Sequence, residues 1–150
     1  MILDNFGEFA DATALNTGGA NTYNVGDIID LGLAGQDLGN GQPVYAVFQI
    51  TTAATSGGSA TMQFSIVSDS TTTIATDGNQ TIHYLSRPVP VATMVAGYQM
   101  VVPLPAEDPD YERYLAFQQV TATAAFTAGN VNAFLTLDPA GWKSHPDANN

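Results

Sequence analysis

Apolar and polar side chains alternate with a period of two in several stretches of this chain, and no run of ten or more residues carries the helical period with caps. Between residues 44 and 52, Val44, Ala46, Phe48 and Ile50 fall on one face and Tyr45, Val47, Gln49 and Thr51 on the other. A turn at residues 55–60 (TSGGSA) leads to residues 61–68, where Met62, Phe64 and Ile66 alternate against Thr61, Gln63, Ser65 and Ser68. The pattern predicts two strands joined as a hairpin. Tyr98, Met100, Val102 and Leu104 alternate again, with Pro103 and Pro105 marking an edge.

The clearest signal spans residues 111–137. Val131, Ala133, Leu135 and Leu137 alternate with Asn132, Phe134 and Thr136, while Leu115 and Phe117 share a face that Val120 leaves, as if Gln118 and Gln119 formed a bulge. Gly129 and Asn130 can take positive φ and close a second hairpin, pairing residues 114–123 with 131–137. Weaker elements fill the rest: a short strand at residues 25–33, a turn at 35–43, a short strand at 81–85 and an extended, proline-rich edge at 87–91. Residues 11–26, rich in Thr, Ala, Asn and Gly, read as a loop. About eight short strands predict an all-β, antiparallel two-sheet sandwich, jelly-roll-like, with an N-terminal arm. Its parts are an arm at residues 1–12, one β-sandwich domain at 13–139 and a polar tail at 140–150.

Composition narrows the partners. Three cations (Arg87, Arg113 and Lys143) face 14 acidic residues, for a formal net charge of −11. Binding to nucleic acid or to an anionic membrane surface needs clustered Lys and Arg, so neither partner is expected. The chain has no cysteine, which removes disulfides, thiolate catalysis and cysteine-held zinc. No secretory signal is expected in the opening residues, since Asp4 and Glu8 interrupt the apolar run.

No catalytic motif is present. His83 and His145 stand far apart in sequence, and a small hydrolase on this fold would need His83 to meet Ser and Asp partners in space. Glu107, Asp108, Asp110 and Glu112 are hard-oxygen donors, but they lack the glycine and spacing of an EF-hand and read as a solvated acidic loop. No metal, cofactor or enzymatic activity is expected. Arg113 reads as a salt-bridge residue at the start of a strand. Tyr45, Tyr84, Tyr98 and Trp142 are the aromatic side chains on which a sugar would stack if this were a carbohydrate-binding module of a virion or secreted protein.

Several pieces, in order, resemble the capsid cement (decoration) proteins of tailed bacteriophages. They are Leu3-Asp4 with Phe9 and the run from Ala10 to Leu15, the Ile28–Gly32 segment, the Gly41–Ile50 segment, Phe64 to Asp69, Pro103-Leu104-Pro105, Glu112-Arg113-Tyr114-Leu115, and Phe126 to Asp138. The resemblance implies a small jelly-roll-like virion protein made in the host bacterial cytoplasm. It would sit on the outer surface of an icosahedral head and clamp neighbouring major capsid protein subunits. The resemblance also implies self-association, as a homotrimer ahead of a dimer, and it brings no catalytic residue. Within that reading, Ile2, Leu3, Phe6, Phe9 and Trp142 are the expected partner interface, because the first four concentrate apolar area in a segment too interrupted for a core strand. The competing expectation is that this arm folds back over an edge strand of its own sandwich.

Overall fold

Three phenylalanines from three different strands meet at the centre of the fold: Phe48 lies 5.1 Å from Phe64 and 5.3 Å from Phe117, centroid to centroid. The computed structural model describes residues 5–32, 38, 41–105 and 111–141. Among these the chain is all-β, with ten strands and no α-helix. The strands are β1 (Glu8–Ala14), β2 (Asn21–Asn24), β3 (Ile29–Asp30), β4 (Tyr45–Ser56) and β5 (Thr61–Asp69). They continue as β6 (Thr81–Leu85), β7 (Val89–Pro90), β8 (Gln99–Pro103), β9 (Tyr114–Ala122) and β10 (Phe126–Thr136).

These strands form two antiparallel sheets. One has the order β1-β10-β4-β8. In the other, β9 and β5 are the central pair; β2 and β3 follow one another along the free side of β9, and β6 and β7 along the free side of β5. Facing rows of Ala46, Phe48 and Ile50 on β4, Val131 and Ala133 on β10, Met62, Phe64 and Ile66 on β5, and Leu115 and Phe117 on β9 fill the space between the sheets. This is the sandwich that the alternating pattern predicts, with both sheets closing on one core.

The two predicted hairpins do not form. β4 and β5 lie in opposite sheets, as do β9 and β10. Instead β4 pairs with β10 and β5 pairs with β9, and this two-stranded ribbon folds over at a corner where both chains cross together. Residues 57–60 and 123–125 are the two crossings. Ser56 Oγ ties them by donating to the Ala125 carbonyl at 2.7 Å, and the Thr55 and Thr127 hydroxyls meet at 2.7 Å. Thr123 takes the bend with φ of 72°. An apolar face followed by a glycine-rich turn and another apolar face describes a corner as well as a hairpin, since both bring the second face to the same core.

Gly129 and Asn130 therefore lie inside β10, not at a turn. Gly129 has φ of 134° at a break in the β10–β4 register, and a side chain there would press on Ala54 and Leu15 at 2.9 Å. The expected bulge at Gln118 and Gln119 is also absent, since β9 runs against β5 from Thr61 opposite Ala122 to Asp69 opposite Tyr114 without a shift. Both glutamines are buried, one on each face. Gln119 closes the core end by bonding Asn16 on both sides of its amide and the Thr121 hydroxyl. Gln118 lies beneath the loop of residues 70–80, where it joins Asn24, the Ala75 carbonyl and Gln80.

The loop expected at residues 11–26 holds β2 and most of β1, and the strand expected at residues 25–33 is reduced to β3. Neither β1 (EFADATA) nor β2 (NTYN) alternates cleanly; each is held by its neighbour, β1 by β10 and β2 by β9. The boundary expected at residue 12 consequently falls inside a strand of the sandwich.

Candidate partner interface

Of the residues expected at a partner surface, Ile2, Leu3 and Trp142 lie outside the described residues. The other two separate. Phe6 sits in a single 3₁₀ turn, Asn5–Gly7, and is 67% exposed, whereas Phe9 is 1% exposed inside the core. Phe9 is therefore a core residue of its own sandwich and not the interface residue expected. Its backbone is fixed as firmly as its ring, because its carbonyl accepts the Asp27 amide at 2.6 Å. Gly26, with φ of 78°, passes so close to that carbonyl that any side chain would overlap it. The apolar spacing that marks an arm is thus, for Phe9, the start of edge strand β1.

Leu137, which alternates in sequence with the core-facing Val131, Ala133 and Leu135, is instead 60% exposed, and the exposed apolar side chains of the other flank carry no signal in the sequence pattern. Phe6 and Leu137 belong to the β1–β10 end of one sheet; Ile82 and Leu85 on β6, Val95 before β8 and Val101 on β8 belong to the opposite flank. A bulge in β6 creates the first of these latter pairs. Ile66 faces Tyr84 and Val67 faces Ile82, so His83 is the extra residue. His83 then stacks on buried Tyr111 at 3.9 Å and Tyr84 on Phe48 at 6.4 Å, leaving Ile82 and Leu85 turned to solvent.

His83 does meet a serine in space: its Nε2 lies 2.7 Å from Ser68 Oγ. Ser68 is fully buried, however, and its Oγ also accepts the Glu112 amide, while Glu112 Oε1 accepts the Thr81 hydroxyl. The group pins the start of β9 to the edge of β5 and β6, with the serine oxygen shut away from solvent. His145, Glu107, Asp108 and Asp110 lie outside the described residues. Among the described residues no three His, Asp or Glu side chains converge to hold a metal ion.

Three carboxylates, Glu8, Asp11 and Asp27, line an open notch of about 370 Å³ beside β1. Burial, then the like charges of Asp11 and Asp27, push the Glu8 carboxyl above its ordinary pKa. Arg113 fulfils the expected role at a strand start: its fork donates to both carboxylate oxygens of Asp30, at 2.8 and 2.9 Å. That hydrogen bonding, with the Gly32 amide, holds Asp30 down to a pKa of about 2. The guanidinium also covers the Tyr114 ring at 5.0 Å.

Among the described residues, the candidate stacking aromatics Tyr45, Tyr84 and Tyr98 do not share one surface. Tyr84 turns inward, its hydroxyl on Met100 Sδ, and Tyr98 is half-buried against the core, while Tyr45 stands half-exposed on the outward face of β4. No curated protein matches the chain. The family model named Bbp16 matches residues 9–135, from the first core phenylalanine to the last core-facing leucine of β10, and the chain belongs to the Bbp16 family.

Proposed function

We propose that this protein is a structural component of a bacteriophage virion, one that binds the outside of an icosahedral head and cements neighbouring major capsid protein subunits. The observation that carries the reading is the ordered resemblance to capsid cement proteins across the same span, residues 9–135, that the Bbp16 family model matches. The sandwich core is mainly apolar, and exposed apolar side chains occur both beside β1 and β10, at Phe6 and Leu137, and on β6 and β8, at Ile82, Leu85 and Val101, which suits a protein that bridges others. A net charge of −11 keeps the free protein soluble and away from nucleic acid. In this reading the protein acts as a homo-oligomer, since gripping several subunits at once multiplies a weak contact.

The test is decoration. Purified protein is added to heads that lack it, and the particles are imaged by electron microscopy. The expected result is new density on the outer surface at local symmetry axes, with heads that resist heat or chelation longer than undecorated ones. Heads that remain bare at saturating protein overturn the proposal.

A further inference from the structure

We infer that residues 142–150, beginning at Trp142, lie back across the outer face of β10 and β4, with the Trp142 indole over Phe134 and Val47. On these strands Ala46, Phe48, Ala133 and Leu135 face the core, so Val47 and Phe134, which stand side by side in the register, face away from it. Outward side chains of a two-layer sandwich meet solvent unless a third layer covers them. Yet Val47 is 0% exposed, Phe134 2% and Gln49, next along the same face, 8%. Val101 on β8, beside Val47 in the register and facing the same way, is 39% exposed. The cover therefore runs along β4 and β10 and stops short of β8.

On the other sheet the loop of residues 70–80 supplies such a layer, with Ile74 packed on Val67 and Ala116. On this sheet residues 142–150 are placed to do so. β10 ends at Thr136 opposite Tyr45, two residues beyond Phe134, and the 3₁₀ turn at Pro139–Gly141 comes between the strand and Trp142. Nine residues follow that turn, up to about 30 Å of extended chain, against roughly 14 Å along β10 from Phe134 back to Asn130.

Face and segment also match in order. From the Thr136 end inward the face presents Phe134 and Val47, then Asn132 and Gln49, then Thr51. The segment presents Trp142 and then KSHPDANN, apolar first and polar after. Gln49 Nε2 and Thr51 Oγ1 are buried with no hydrogen-bond partner among the described residues, and a polar chain running over them offers acceptors to both. The indole carries most of the apolar area this segment has to bury. In this arrangement Trp142 anchors its own chain and is not presented to a partner.

Because Trp142 is the single tryptophan, its fluorescence on the full chain tests this. In the folded protein the emission is expected to be blue-shifted from that of the urea-unfolded chain and quenched several-fold less by acrylamide, at every protein concentration. Nuclear Overhauser contacts should join the indole to the Val47 methyls and the Phe134 ring. Trp142→Ala should lower the melting temperature by at least about 4 °C. Val47→Ala should red-shift the emission, whereas Val101→Ala should not. A solvent-exposed indole in the folded chain overturns the inference, as does an indole shielded only at high concentration, which places it against a second copy. A chain ending at Gly141 that melts like its parent and keeps the Val47 methyls shielded means that another segment covers the face, and overturns it equally. None of these readouts involves a phage head, so a failure here leaves the cement reading untouched.

Discussion

Gly129 shows how much a single position can decide in this fold. Its φ of 134° is a conformation L-residues avoid, and the space a side chain would need is taken by Ala54 and Leu15. Gly129→Ala is expected to cost more than about 1 kcal/mol, read as a drop in urea midpoint. At the aromatic centre Phe48→Ala should cost about 3–5 kcal/mol, whereas Leu135→Ala, half-buried at the sheet end, should cost less. Equal losses at the two sites would put Leu135 as deep as Phe48. Two carboxyls set opposite pH responses. Because folding raises the Glu8 pKa, its neutral form favours the fold below the ordinary carboxylate range, and that contribution is lost as pH rises through the folded value. Glu8→Gln should therefore melt higher than the parent at neutral pH, with the gap closing toward pH ~4. Asp30 has the reverse sign: its pairing with Arg113 helps above about pH 4 and is lost as pH falls toward 2. Asp30→Asn should narrow its small deficit over that acid window, measured as melting temperature against pH.

At the scale of elements, the folded ribbon explains both what the sequence revealed and what it concealed. The inward sets on β4, β5 and β10 were legible because period-two alternation depends only on which face is buried. Partner choice was not legible, because residues 57–60 look like a hairpin turn, while Gly129 and Asn130 drew the second turn away from the true corner at residues 123–125, whose Thr-Ala-Ala carries no turn signal. β1 and β2 escaped notice because their strand character comes from β10 and β9: the Asn130 amide donates to the Ala12 carbonyl and Asn132 Oδ1 accepts the Ala12 amide, holding that residue at φ of 44°. The exposed apolar surface was less legible still. Phe9 looked like an arm residue, and the exposure of Ile82 and Leu85 follows from a bulge that no local pattern announces. The loop over the outer face of β9 offers a test of element-level coupling. Gln118 serves Asn24, Ala75 and Gln80 at once, so Gln118→Ala leaves several buried groups without partners and should cost about 1–3 kcal/mol. Faster hydrogen exchange across residues 70–80 should accompany the loss; exchange that spreads evenly through β4 and β10 instead would place the coupling elsewhere.

For the whole molecule, the question is whether its N-terminal segment belongs to the domain or to a partner, and the fold divides it at Gly7. From Glu8 onward the chain is a sheet strand: Glu8 pairs with Phe134, Ala10 with Ala133, and Phe9 is enclosed in the core. Phe6, one turn earlier, packs little of its ring. Deleting residues 1–9 should therefore destabilise the isolated protein strongly, since losing one buried phenylalanine alone costs about 3–5 kcal/mol and strand pairing is lost with it. Phe6→Asp should leave the melting temperature unchanged. If the protein cements a shell and Phe6 lies against it, that single substitution should still weaken decoration of heads, separating stability from attachment in one comparison. A deletion variant that melts like its parent would mean that Phe9 and β1 contribute nothing to the core, contrary to the burial seen here. A Phe6→Asp protein that decorates heads as well as the parent would confine attachment to other surfaces.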